Sequence, residues 1–295
     1  MYKKVVRYGT VEQSKALFPN KLYKFRNWND LEKFKFHKDI ITQTELYFPN
    51  PKGFEDELDC RFPIEFDFSF ETMRTRMRNS YFSSNGIKTL NNAQLDSLIK
   101  YNYKERFGTL EKQKEKEDKF YTDFRNTLAI YCFSKSNDNL KMWEKYGDNF
   151  NGFCIGLNFR ENLESLQSSL IFGTEIEYVK VESEKTPYPS FFNDKDENNF
   201  SELFLDLISK KYESWSFENE FRLCKQNFDE LNYSNIPKFN NKFQIPKDCF
   251  FELIFGYKME QKYRFDIEKY CEVNKLPVSF KIAENNNGIV EIRNI

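Results

Sequence analysis

A single histidine, His37, occurs in 295 residues. That excludes a zinc site built on histidines, and it excludes a catalytic triad with a histidine base unless His37 supplies it. His37 lies in KFKFHKDI, a mixed basic and aromatic stretch, and reads there as a structural residue. Glycine is scarce as well, with ten in the chain and neither a GxGxxG nor a Walker A pattern. A glycine-built phosphate cradle is therefore not expected. No window approaches the roughly 18 apolar residues of a membrane span. The opening MYKKVVRYGT has no apolar h-region, so no secretory signal is expected. None of the six cysteines forms a CxxC pair, and most sit in apolar runs such as AIYCF and GFCIGL. Reduced, buried thiols in a cytoplasmic protein are the expectation. Neither sign of charge is in excess: 45 basic residues face 46 acidic ones, a net charge of −1. That balance demands neither nucleic acid nor a membrane surface as partner.

Aromatic side chains are what the chain has in quantity, with 33 Phe, 17 Tyr and 3 Trp. They suffice for a large core and set the chain apart from disordered sequences. A helix is expected near Thr10 to Phe18, a first strand in KLYKFRNW (Lys21–Trp28), a helix or turn over Leu31 to Lys38, and a short strand in ELYFPNP (Glu45–Pro51). Apolar residues at three- and four-residue steps predict helices from about Phe66 to Asn126. The run LEKQKEKEDK (Leu110–Lys119) within them reads as a solvated surface. Strands are predicted at LAIYCFS (Leu128–Ser134), GFCIGLNF (Gly152–Phe159), GTEIEYVKVE (Gly173–Glu182), FFELIFG (Phe250–Gly256), PVSFKIA (Pro277–Ala283) and GIVEIRN. Helices are predicted in NDNLKMWEKYGD, with Asp138 or Asn139 as N-cap and Gly147 as stop, over Phe200 to Tyr212 and near Tyr263 to Asn274. A Pro- and Asn-rich loop is expected over Thr186–Asn199. Strict alternation of strand and helix is absent. The fold class that follows is α+β: a mixed, largely antiparallel sheet with flanking helices, one domain over residues 1–295 and a helical insertion at about 66–126.

Three stretches carry residue types suited to chemistry. The acidic loop FEDELD (Phe54–Asp59) has carboxylates for a hard cation but not the spacing of an EF-hand, and reads equally as a capped loop. MWEKYG (Met142–Gly147) sets Trp143 and Tyr146 three residues apart on one helix, as core or as a wall for a flat ring. ENEFR (Glu218–Arg222) is the sharpest. Read as a strand, period two puts Glu218, Glu220 and Arg222 on one face, with carboxylates about 7 Å apart. Two such carboxylates repel, and Arg222 would hold one of them ionised. The pattern suits two-carboxylate glycosidic chemistry, and it is also common on solvated strands.

Four segments together resemble the bacterial domain of unknown function family 2971. They are LYKFRNWND with ELYFPNPKGFEDELDC, YCFSKSNDNLKMWEKYGDNFNGFCIGLNF, KYESWSFENEFRL and FELIFG, spanning about Leu22 to Gly256. In FEDELD, Glu55 and Glu57 stand where the family has an Asn and a Pro, and the helical block 66–126 is unmatched. The order of polar positions also resembles the Arg–Ser–Glu class of ADP-ribosyltransferases. That likeness implies NAD as substrate and a macromolecular acceptor, protein or nucleic acid. It assigns Arg26 to the NAD pyrophosphate, Ser134 to the nicotinamide ribose, Glu220 to the ribose 2′-hydroxyl and the oxocarbenium, and Glu218 to the acceptor. Trp143 and Tyr146 would wall the nicotinamide, with Arg222 beside the carboxylates. By the same analogy the role is that of a toxin or phage-defence effector. Two other readings stand beside this one. In the first, a binding module holds a nucleotide or peptide without turnover. In the second, Asp56, Asp59, Glu218 and Glu220 hold Mg²⁺ for nuclease or phosphoryl-transfer chemistry. A buried cluster of Arg26, Trp143, Trp215, Glu220 and Arg222 would serve the fold alone.

Overall fold

The computed structural model of the protein describes residues 5–6, 15, 18–28, 35–83, 89–180, 186–187, 196–226 and 240–295. Most of the helix expected near residues 10–18, the first half of the Leu31–Lys38 element and most of the loop expected at 186–199 lie outside them. The chain divides into two compact units. One comprises Met1–Glu55, Thr127–Val181 and Lys211–Ile295. The other comprises Asp56–Asn126 and Glu182–Lys210.

Among the described residues, the first unit is built on a sheet of nine strands: β1 (Val5–Val6), β2 (Leu22–Arg26), β3 (Leu128–Ser134), β4 (Phe153–Leu157), β5 (Ile171–Glu175), β6 (Glu220–Gln226), β7 (Phe250–Gly256), β8 (Ser279–Asn286) and β9 (Ile289–Asn294). Their order across the sheet is β1-β5-β6-β3-β2-β4-β7-β8-β9. The ladder of β7 with β8 is parallel; those of β3 with β6 and of β4 with β7 are antiparallel. The fold is α+β. The central strands read as unbroken apolar runs because both faces are covered. One face carries Leu22, Phe133, Ile155, Phe221 and Phe255. It packs on helices α1 (Lys35–Thr42), α6 (Leu163–Ser168) and α8 (Gln261–Asn274) through Ile40, Leu166 and Ile267. The other face carries Tyr23, Phe25, Cys154 and Ile254 under α5 (Leu140–Lys145).

In the second unit three helices follow one another: α2 (Phe70–Ser83), α3 (Asn92–Phe107) and α4 (Leu110–Asn126). A capping box at Asn91 and Gln94 opens α3, satisfying two backbone donors reciprocally. Helix α7 (Asp196–Ser209) belongs to the same unit.

Several expectations need correction. The segment predicted as one strand over Gly173–Glu182 is two, because pairing breaks at Ile176 between β5 and Glu177–Val179. The helix predicted to reach Tyr212 ends at Ser209, and Lys210–Tyr212 is extended. A strand at Lys242–Gln244, unmarked by any long apolar run, pairs with Glu45–Tyr47.

Candidate active site on the central sheet

The ENEFR segment is not a strand throughout. A 3-10 helix spans Glu213–Glu218, Asn219 is left-handed at φ 43°, and β6 begins only at Glu220. Asparagine tolerates this conformation where most residues do not. Its backbone N–H donates to Ser216 O, and its carbonyl accepts from Lys135 N at the end of β3. The reversal returns Glu218 to Glu220 by a kink rather than by the strand pleat.

The resulting group is buried, not a solvated face: Glu218 is 6 % exposed, Lys211 7 %, Glu220 2 % and Arg222 0 %. Lys211 Nζ donates to Glu218 Oε2 at 2.5 Å and to Glu220 Oε2 at 3.2 Å. Arg222 grips the second carboxylate, Nε to Oε1 at 2.6 Å and Nη2 to Oε2 at 3.2 Å. The Tyr146 hydroxyl donates to Glu218 Oε1 at 2.5 Å. Glu220 N donates to the Tyr178 hydroxyl at 2.8 Å. Lys211 lies 4.7 Å from the centre of the Trp215 ring.

The two carboxylates are driven apart in proton affinity. Burial alone would raise both. At Glu220 the charges of Arg222 and Lys211, with the Arg222 hydrogen bond, outweigh burial and hold the carboxyl well below the usual carboxylate range. At Glu218 burial and then the Glu220 charge prevail over Lys211 and Tyr146, and the carboxyl is raised. Burial and Glu218 together push the Tyr146 phenol upward. A pair split in this way has one member suited to carrying negative charge and the other to moving a proton.

Strand register continues the site. Glu220 is the Cα partner of Ser134, Ser134 of Tyr23, Tyr23 of Gly156 and Gly156 of Glu252. Partners in register share a face, so Ser134 and Tyr23 stand beside Glu220 in one row over five adjacent strands. A Cβ on Gly156 would lie 2.8 Å from Glu252 Cγ, so glycine leaves the space that the Glu252 side chain occupies. Glu252 is held by Lys281 Nζ at 2.5 Å and hydrogen-bonded by Tyr23. The Ser134 hydroxyl accepts from Ser136 N at 3.2 Å. Tyr23 and Glu252 escaped the sequence reading. The visible trace was one acid inside the apolar run FFELIFG.

Of the residues singled out from sequence, Glu218, Glu220, Arg222 and Tyr146 meet directly, with Ser134 on the adjoining strand. Arg26 does not join them. Alternation along β2 turns it with Lys24 to the opposite face from Tyr23. There its Nη2 donates to the Tyr131 hydroxyl at 3.2 Å. Trp143 does not reach them either. It is 0 % exposed, stacked on Phe150 at 5.2 Å and met edge-on by Phe25, and its indole N–H donates to Asn137 O. Gly147 ends that helix for a packing reason: a Cβ there would lie 2.8 Å from the Trp143 ring. Lys24, absent from the sequence reading, donates to Cys132 O at 2.6 Å. Burial first, then the Arg26 charge, pull its ammonium down to about 7, against the opposing pull of Glu220 and Glu218.

The acidic loop is locally satisfied. Asp56 accepts from Leu58 N, Asp59 is buried beside the Cys60 thiol, and Glu55 pairs with Lys145 at 2.7 Å. Asp56 and Asp59 belong to the second unit, Glu218 and Glu220 to the first. Among the described residues no three Asp, Glu, His or Cys side chains converge as a metal-binding group. No helix among them is long and apolar enough to cross a membrane.

Residues 142–223 match the family described as Protein of unknown function (DUF2971). The matched stretch contains Trp143, Tyr146, Glu218, Glu220 and Arg222, and excludes Arg26 and Ser134. No curated protein and no solved structure matches the chain.

Proposed function

We propose that the protein is an enzyme that cleaves the bond between nicotinamide and ribose in NAD and transfers ADP-ribose to a macromolecule, protein or nucleic acid. The observation that carries this reading is the Glu218–Lys211–Glu220 bridge, with carboxylates of opposite proton affinity beside Ser134 on the next strand. Glycosidic chemistry of this kind passes through an oxocarbenium-like transition state that an ionised carboxylate stabilises. Glu220, kept ionised, serves that role and holds the ribose 2′-hydroxyl. Glu218, with its raised affinity, takes the proton from the acceptor as the acceptor atom bonds to the ribose C1′. The C1′–N bond breaks and nicotinamide leaves with its electron pair. Ser134 orients the ribose, and Tyr146 holds Glu218 in place. Arg26 and Trp143 have no part in this reading, because one faces Tyr131 and the other is enclosed in the core. By the same analogy the activity would serve a toxin or phage-defence effector.

The test is nicotinamide release from NAD by the purified protein beside Glu220→Gln. Chelator is present throughout, and cell lysate is added in one arm as a source of acceptor. The expected result is release by the wild type, raised by lysate and lowered about a hundredfold or more in the variant, as when a principal transition-state contact is removed. Absence of release from folded wild-type protein in every arm would overturn the reading.

A further inference from the structure

The second unit holds a cavity of about 470 Å³ that plays no part in the chemistry above. Helix α2 presents Met73, Arg76, Met77 and Ser80 to it. These positions follow the i, i+3, i+4, i+7 spacing of one helix face. Met73 is buried at the floor, whereas Ser80 is exposed at the rim. Four phenylalanines complete the apolar wall. Phe68 stacks between Phe66 and Phe107, at 5.6 Å from each and with interplanar angles of 3° and 26°. Phe120 meets Phe66 edge-on at 5.4 Å.

The charged part of the lining is all of one sign. Arg76, Arg106 and Lys116 face the cavity, and none of its ten lining residues is acidic. Of the nearby acids, Asp96 binds Arg74 and Arg78, Asp118 binds Arg61, Asp123 binds Lys119 and Glu105 pairs with Lys112, while Asp67, hydrogen-bonded by Thr72 and Ser69 N, also faces the Arg76 charge. Arg106 and Lys116 form no ion pair among the described residues. Lys116 comes from the charged LEKQKEKEDK run, so that run is not wholly a solvent face. An apolar wall with a few convergent polar groups, in a volume of several hundred Å³, is the usual build of a small-molecule site. A wall of aromatic rings favours a flat ligand packed against the ring edges. An excess of cationic donors selects an anion.

We infer that this cavity binds a small ligand with a flat aromatic body and one anionic group. The ring packs among Met73, Met77 and the edges of the four phenylalanines, and the anion meets Arg106 and Lys116. The inference is independent of the NAD reading, since no residue is shared between the two sites.

The test compares two fluorescent probes that differ in a sulfonate: 8-anilinonaphthalene-1-sulfonate and its uncharged parent N-phenyl-1-naphthylamine. The full chain is titrated with each. The expected result is saturable one-to-one binding of the sulfonate, tighter than that of the neutral parent. The double variant Arg106→Gln, Lys116→Gln should lose about tenfold in affinity for the sulfonate and keep its affinity for the parent. Ser80→Trp, at the rim, should block both probes. All variants should retain the wild-type melting temperature. Absence of one-to-one binding to the wild type would overturn the inference, as would unchanged sulfonate affinity in the double variant or binding that survives Ser80→Trp.

Discussion

Lys211 stands between two carboxylates that would otherwise repel, and Arg222 supplies the second positive charge. Two cations and two acids, nearly sealed from water, are stable only as a set. Removing one member leaves an uncompensated charge whose desolvation has already been incurred. Lys211→Met is therefore expected to lower stability by about 3–5 kcal/mol, read by urea unfolding. A loss below about 1 kcal/mol would match a solvated pair instead. Removing Lys211 would also leave Glu218 beside the unscreened Glu220 charge and raise its proton affinity further. The Tyr146 hydroxyl, 2.5 Å from Glu218, explains why MWEKYG and ENEFR belong together although 72 residues separate the two side chains.

At the scale of elements, the turn before β6 decides where Glu218 points. Asn219 in the left-handed region joins the 3-10 helix to the strand, and its carbonyl is tied to Lys135 at the end of β3. A β-branched residue there would bear about 1–2 kcal/mol of backbone strain. Asn219→Val is expected to lower the melting temperature and, with it, the NAD cleavage proposed above. Asn219→Gly, which reaches the same conformation freely, should stay close to wild type. Equal behaviour of the two variants would show that the left-handed turn does not position Glu218. The neighbouring strands β2, β3 and β6 then set Tyr23, Ser134 and Glu220 side by side through register alone.

For the whole molecule, Lys24 links stability to pH. Its folded pKa of about 7 lies below the ordinary lysine value of about 10.4. Between those values the unfolded chain binds more protons than the folded one, so this group makes stability rise with pH from about 7 to about 10. Below about 7 its penalty is complete and constant. Lys24→Met is expected to flatten that rise, measured as denaturation midpoints across pH 7–10. An unchanged slope would show that the ammonium is solvated. Glu220 acts at the acid end: held below its ordinary range, it contributes stability that is lost as pH falls. Glu218 opposes it, because the folded state favours its protonated form.

Composition and period settled much of this protein without coordinates. LAIYCFS and FFELIFG are β3 and β7 to the residue, since long aromatic and β-branched runs have few other uses in a sheet covered on both faces. The helical stretch before β3 was legible from its spacing, though not its division into three helices, and of the two cap candidates, Asp138 and Asn139, it is Asn139 that caps. Glu218, Glu220 and Arg222 were visible as an odd charge cluster after a tryptophan. Arg222 was legible as the cation that keeps one carboxylate ionised; what sequence could not supply was the partners of Glu218. Lys211 and Tyr146 reach Glu218 through a kink and a neighbouring helix, and alternation along β2 sends Arg26 to the far face while its neighbours at Tyr23 and Ser134 stay with Glu220. Local pattern determines which residues are buried and in what element. Register and turn conformation, which depend on contacts between distant segments, decide which of them meet.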